Sequence, residues 1–149
     1  MEVKAKQRAP EQTKWEKLLS TEEFKISFRL SSIGSSDFLD LKIIRKNPQP
    51  FTIGLNQKLV FYFNNSDSVV LYNTQATNSC DGCGSINIVD IRHTGIEVTY
   101  LISKYELKKL EDNSINKFCV YTDGEKIQSF LFASEYNKIL KAIMLTQDL

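Results

Sequence analysis

Histidine and cysteine, which carry much of enzyme catalysis and metal binding, are scarce: the 149 residues hold one histidine and three cysteines. An odd number of cysteines excludes a disulfide framework as the organising principle of the fold. A general base needs an orienting partner and a nucleophile, and the sequence places neither beside the one histidine, His93. We interpret His93 as an exposed turn residue, and we predict that the protein is not an enzyme.

An excess of charge of one sign is also lacking, since 19 lysines and arginines stand against 18 aspartates and glutamates. A general nucleic-acid binder carries a basic footprint, so we predict no nucleic-acid partner. The apolar fraction of 42% and the charged fraction of 25% are those of a globular protein. The length fits one domain, which we place at residues 10–149 after a disordered tail at residues 1–9.

Long apolar runs are missing. No run approaches the roughly 18 residues of a membrane helix, which predicts no integral membrane segment. The basic residues Lys4, Lys6 and Arg8 are not followed by the apolar stretch of a signal peptide. The sequence as written predicts a cytoplasmic protein, and a periplasmic or cell-envelope location is the alternative if an export signal has been removed.

The N-terminal part of the chain changes its period. Trp15, Leu18 and Leu19 follow Pro10 at helical spacing, which predicts an N-terminal helix. From residue 24 apolar and polar residues alternate, which predicts strands at residues 24–30 and 38–46 with a loop at residues 31–37.

Strand and helix signals continue to the C-terminus. Residues 58–63 and 68–73 flank a four-residue polar loop and predict a hairpin, and residues 86–91 and 96–102 read as further strands. Ser103 and Glu106 have the spacing of a capping box, which predicts a helix at about residues 104–112. Asp123-Gly124 predicts a hairpin over residues 115–132, because glycine accepts the positive φ of a tight turn, and Ser134 is expected to cap a last helix.

These elements predict an α+β fold. We expect a mainly antiparallel sheet or sandwich of about eight strands, because most neighbouring strands are joined by short turns. The N-terminal helix, one helix before the C-terminal hairpin and the C-terminal helix complete the prediction.

The segment from Cys80 to Gly84 contains two of the three cysteines in a C-x-x-C pattern. Asp81 raises the pKa of neighbouring thiols, and a β-type run follows instead of a helix, so the pattern is unlike a redox-active site. We interpret Cys80 and Cys83 as a strand-connecting turn, free or oxidised. Cys119 lies in an apolar run and is interpreted as a small buried hydrophobic residue.

A metal site is the alternative use of these residues. Structural zinc takes four cysteine or histidine ligands, commonly with a C-x₂₋₄-C pair. Cys80, Cys83, His93 and Cys119 supply that number, although only the first pair has the tight spacing. We predict no cofactor, with zinc bound by these four residues as the alternative.

Four segments together resemble a bacterial domain that is common in Bacteroidota, frequently in exported or lipid-anchored proteins. They are the C-D-G-C-G turn at residues 80–84, G-I-E-V-T-Y at 95–100, I-S-K-Y-E-L at 102–107 and F-C-V-Y-T-D-G at 118–124. The resemblance covers about residues 58–130 and implies no activity.

Aromatic residues on strands give the positive indication of function. Tyrosine is enriched at interfaces, and an exposed tyrosine row forms a recognition surface. We take Trp15, Tyr62, Tyr72 and Tyr100 as the candidate interaction surface. The sequence thus predicts a non-catalytic binding or assembly module that acts through protein–protein contacts with a partner or with itself. A small zinc-stabilised or thiol-active protein is the alternative.

Overall fold

The computed structural model describes residues 11–46, 49–81 and 93–147. In this part of the chain the protein is mostly antiparallel β-sheet with two helices, which confirms the α+β class. The strands are β1 Glu11–Gln12, β2 Glu16–Ser20, β3 Phe24–Ile33, β4 Ser36–Arg45, β5 Thr52–Ile53, β6 Lys58–Phe63, β7 Ser68–Tyr72, β8 Thr77–Asn78, β9 Cys80–Asp81, β10 Thr94–Ile102, β11 Ile115–Tyr121 and β12 Lys126–Phe130, and the helices are α1 Lys104–Asp112 and α2 Ala133–Gln147.

A six-stranded sheet is built around the long hairpin of β3 and β4. Its order is β1-β3-β4-β10-β9, and β2 also pairs with β3. The predicted alternation holds along β3, whose Phe24, Ile26, Phe28 and Leu30 are buried. The turn between β3 and β4 contains Gly34, whose φ of 62° is a conformation that glycine adopts without a steric penalty.

A four-stranded sheet combines the two predicted hairpins in the order β12-β11-β6-β7. The hairpin of β6 and β7 turns through the predicted polar loop, and the hairpin of β11 and β12 turns through residues 122–125. Strands β11 and β6 are antiparallel neighbours although about fifty residues separate them, and Phe118 lies opposite Phe61. Strands β5 and β8 form a separate two-stranded sheet.

Both sheets and both helices bury their apolar sides in one core. An isolated bridge between Asn73 and Tyr100 joins the end of β7 to β10, so the two sheets meet at this side. Leu107 and Leu110 of α1 and Ile139 and Ile143 of α2 belong to the same buried cluster as the inward side chains of the strands. One side of each sheet therefore packs against the core, and the other side faces outward.

The predicted N-terminal helix is wrong for the described residues, because Glu16–Ser20 is a strand. This segment pairs with β3, and a register irregularity lies between Lys17 and Leu19. Leu18 is buried in the core. Pairing with β3 outweighs the helical spacing of the apolar residues Trp15, Leu18 and Leu19. The twelve strands of the described part also exceed the predicted eight, since β1, β5, β8 and β9 are two-residue strands. The tail at residues 1–9 and the predicted strand at residues 86–91 lie outside the described residues.

Three local predictions also need correction. Residues 31–33 and 36–37 belong to strands and not to a loop, because the Ser31 and Ser32 hydroxyls donate to Asp40 and Asp37 and are thereby accommodated in the sheet. Gly124 does not have a positive φ, so its turn does not depend on that property of glycine. Helix α2 begins one residue before Ser134, so Ser134 is not its N-cap.

Candidate functional site

The outward side of the four-stranded sheet is rich in lysine and tyrosine side chains. Leu59, Phe61 and Phe63 of β6 face the core, so Lys58, Val60 and Tyr62 point the other way. Residues directly opposite each other in an antiparallel pair share a face, so the strand register extends this set across all four strands. We name the set the lysine–tyrosine face: Lys58, Val60, Tyr62, Ser68, Val70, Tyr72, Lys117, Cys119, Tyr121, Lys126, Gln128 and Phe130.

Lysines and tyrosines contact each other on this face. The Lys117 Nζ lies 4.7 Å from the ring centre of Tyr62. The Tyr121 ring lies between two lysines, with Lys58 Nζ at 5.1 Å and Lys126 Nζ at 5.5 Å from its centre. These are cation–π distances, and the attraction holds each ammonium group close to the sheet.

The three lysines of the face have no acidic partner among the described residues, and the face itself carries no aspartate or glutamate. Helix α1 provides the contrast. Its Lys104 pairs with Asp37 at 2.9 Å, and its Lys109 pairs with Asp67 at 3.0 Å. The positive charge of the lysine–tyrosine face is therefore not neutralised by the described part of the protein, whereas that of α1 is.

Cys119 occupies the centre of the face, where Val60 and Gln128 flank it on the neighbouring strands. It is a free cysteine and only 1% exposed, which confirms its interpretation as a small buried residue. Burial raises the pKa of the Cys119 thiol, and the nearby lysine charges oppose this only in part. Cys119 therefore packs the middle of the face as a neutral side chain.

Two of the four predicted surface aromatics lie on this face. Tyr62 is half-buried beside Lys117, and Tyr72 is exposed at the corner next to Lys58. Trp15 lies on the six-stranded sheet, where its ring contacts Arg29 at 4.4 Å and Lys42 at 4.3 Å. The prediction for Tyr100 is wrong, because this residue is fully buried: it lies opposite Leu39 and points inward from β10.

The predicted zinc ligands are only partly described. Cys80 takes part in a disulfide bond, and Cys83 lies outside the described residues. His93 is buried, so its interpretation as an exposed turn residue is wrong. Cys119 lies in the four-stranded sheet, whereas Cys80 lies in the six-stranded sheet. Within residues 11–46, 49–81 and 93–147, no three histidine, cysteine, aspartate or glutamate side chains are close enough together to hold a metal ion. The prediction of no cofactor and its zinc alternative both stay predictions.

A cleft of about 750 Å³ lies between the end of β7, the end of β10 and the start of α1. Its two carboxylates already have structural partners. Asp37 accepts from the Ser32 hydroxyl at 2.6 Å and pairs with Lys104. Glu106 accepts from the Ser103 amide at 2.9 Å as part of the capping box. Asp37 thus ties the start of α1 to β4, and Glu106 completes the cap of the helix.

Sequence reasoning missed Lys58, Lys117, Lys126 and Tyr121 as members of one site. Within each strand the sequence does indicate that the lysine points outward, because each lysine alternates with residues that face the core. The site also requires β11 to lie beside β6, and no short-range pattern in the sequence shows this pairing.

The described residues contain no helix that is long and apolar enough to cross a membrane. No protein-family model matches the chain, and searches of curated proteins and of solved structures likewise found no match. The resemblance of residues 58–130 to a Bacteroidota-type domain therefore stays a prediction.

Proposed function

We propose that this protein is a non-catalytic binding module that holds an acidic segment of a partner protein on the lysine–tyrosine face. One observation carries the proposal: three lysines lie on a sheet face that has no acidic residue, and no described carboxylate neutralises them. Carboxylates of a partner supply the missing charge. The tyrosine and phenylalanine side chains around the lysines add contact area at little cost in conformational entropy.

The geometry of the rings favours acidic protein over single-stranded nucleic acid. Nucleic-acid-binding sheets present aromatic faces on which bases stack. The rings of Tyr62 and Tyr121 are instead contacted by lysine ammonium groups at 4.7–5.5 Å. A base would have to displace these groups, whereas a carboxylate binds them where they lie. The net charge of +1 also provides little long-range attraction for a polyanion.

The charge of the face also argues for a different protein as the partner. Two copies that met through this face would bring together Lys58, Lys117 and Lys126 of both protomers, with no carboxylate on either face. Like charges across an interface cost several kcal/mol, so face-to-face self-association is disfavoured. An acidic segment of another protein has the complementary charge.

The test compares two triple variants with the same change in net charge. In the first, Lys58→Gln, Lys117→Gln and Lys126→Gln remove the lysines of the face. In the control, Lys14→Gln, Lys17→Gln and Lys141→Gln remove three exposed lysines elsewhere. The probe is a labelled synthetic peptide of about eight residues with alternating valine and glutamate, roughly the length of one strand. Binding is followed by fluorescence anisotropy at low salt, and a melting curve verifies that each variant is folded.

We expect the face variant to raise the Kd at least about tenfold and the control to change it less than about twofold. Equal loss in both variants would show that net charge, and not the face, attracts the peptide. A labelled oligothymidylate serves as a second probe. If it binds and the peptide does not, and if the face variant abolishes that binding, the proposal of a protein partner is wrong.

A further inference from the structure

Strand β12 is an open edge of the four-stranded sheet. It pairs with β11 on one side and with no other strand of the described chain. The Leu131 amide donates to the Asn116 carbonyl at 2.9 Å. Along an antiparallel strand every second residue hydrogen-bonds to the same neighbour, so this bond shows which residues of β12 face β11. Ile127 and Ser129 therefore direct their main-chain groups to β11. Lys126, Gln128 and Phe130 direct theirs to the open side.

The opposite edge of the same sheet, β7, is protected at both of its ends. On β7 the Ser68 carbonyl accepts a hydrogen bond from the Lys109 side chain at 3.2 Å. Just beyond β7, the Thr74 amide donates to the Thr99 carbonyl of β10 at 3.0 Å. Proteins usually protect edge strands in such ways, because unpaired main-chain groups invite another strand. Protection is thus more extensive at β7 than at β12, where among the described residues the Ser129 hydroxyl donates to the Phe130 carbonyl at 3.2 Å.

The three residues whose main-chain groups point to the open side also belong to the lysine–tyrosine face. Lys126 provides a charge, Gln128 an amide and Phe130 an apolar ring that is 72% exposed. Phe132, just after the strand, is 76% exposed. An exposed edge strand that ends in phenylalanine offers main-chain pairing and apolar contact side by side, which is the chemistry of strand addition.

We propose that the acidic segment binds as an additional antiparallel strand on β12, and this inference rests on the proposed function. On such a strand, the partner residue opposite Lys126 and the partner residue opposite Phe130 are four residues apart in the partner sequence. Their side chains point to the same side of the sheet. The first carries a carboxylate and the second an apolar side chain. The recognised sequence therefore has an apolar residue, three intervening residues and an acidic residue, in an extended conformation.

The test removes main-chain pairing while keeping the charges. Gln128→Pro deletes the amide hydrogen that points to the open side, and proline is tolerated on an edge strand at such a position. Gln128→Val is the matched control, since it changes the same side chain and keeps the amide. The probe is a labelled peptide of about eight β-prone residues with a leucine and a glutamate at the stated spacing. A second peptide of the same sequence is N-methylated at the amides that would face β12.

We expect Gln128→Pro and the methylated peptide each to weaken binding about tenfold, and Gln128→Val to change it less than about twofold. If the lysine variants of the face weaken binding while Gln128→Pro and the methylated peptide bind normally, the proposed function holds and strand addition is wrong. If the unmodified peptide does not bind the parent protein, the proposed function fails as well. If Gln128→Pro lowers the melting temperature, the methylated peptide on the parent protein decides.

Discussion

The main-chain amide of Gly54 donates a hydrogen bond to Oδ1 of Asp123, with 2.9 Å between nitrogen and oxygen. The same oxygen accepts from the Gln57 side chain at 3.0 Å, and the Asp123 amide donates to the Thr52 carbonyl at 2.9 Å. One aspartate thus ties the β11–β12 turn to β5 and to the segment between β5 and β6. Because β12 forms the edge of the lysine–tyrosine face, this tie helps to fix the position of that edge.

Gly54→Ala is expected to lower the free energy of unfolding by about 1–2 kcal/mol. A Cβ at this position would lie 2.9 Å from Oδ1 of Asp123, so the carboxylate must move and its hydrogen bond to the Gly54 amide weakens. Gly124→Ala is the matched control. Gly124 lies beside Asp123 in the β11–β12 turn, has no positive φ, and its added Cβ would meet nothing within 4 Å. Urea denaturation curves measure both variants, and equal destabilisation would contradict this account.

Ser103→Ala is expected to lower the free energy of unfolding by about 1 kcal/mol. The Ser103 hydroxyl accepts from the Glu106 amide at 3.0 Å, and Glu106 accepts from the Ser103 amide, so both hydrogen bonds of the capping box are present. Ser134→Ala should have little effect, because Ser134 lies inside α2 and donates only to the Glu135 side chain. A larger loss for Ser134→Ala than for Ser103→Ala in chemical denaturation would refute this assignment.

Tyr100→Phe is expected to leave the free energy of unfolding unchanged or to raise it by about 0.5–1 kcal/mol at neutral pH. The Tyr100 side chain is fully buried, and its hydroxyl has no hydrogen-bond partner among the described residues. Removing an unsatisfied buried hydroxyl relieves a desolvation cost while the ring continues to fill the core. Thermal melting of the two proteins measures the difference, and a loss above about 1 kcal/mol would show that the hydroxyl has a partner.

The same residue gives a pH dependence. Burial raises the pKa of Tyr100 above its ordinary value of 10.0, so the unfolded chain releases this proton at a lower pH than the folded protein does. The free energy of unfolding of the parent should therefore fall as the pH rises above about 10, by about 1.4 kcal/mol per pH unit from this group. Tyr100→Phe should lack that part of the decline. Tyr105→Phe, at an exposed position, should retain it.

The accuracy of the sequence predictions depended on how far apart the interacting residues lie. The capping box at Ser103 and the hairpin of β6 and β7 were predicted because their signals lie within a few residues. The strand Glu16–Ser20 was mistaken for a helix because β3, its pairing partner, determines its conformation. Tyr100 was placed on the surface because alternation along a strand does not show which side faces the core.

The Cys119 thiol should react with iodoacetamide at least about a hundredfold more slowly in the folded protein than in denaturant. It is 1% exposed at the centre of the lysine–tyrosine face, and alkylation requires both access and the thiolate. Burial raises the pKa of this thiol above its ordinary value of 9.0, so the folded protein holds less thiolate than the unfolded chain at the same pH. The labelling rate of the folded protein should therefore continue to rise at pH values where that of the unfolded chain has levelled off.

Mass spectrometry of the peptide that contains Cys119 measures both rates. Rapid labelling of the folded protein at neutral pH would show that the centre of the face is open, and the packing described for Val60, Cys119 and Gln128 would then be wrong.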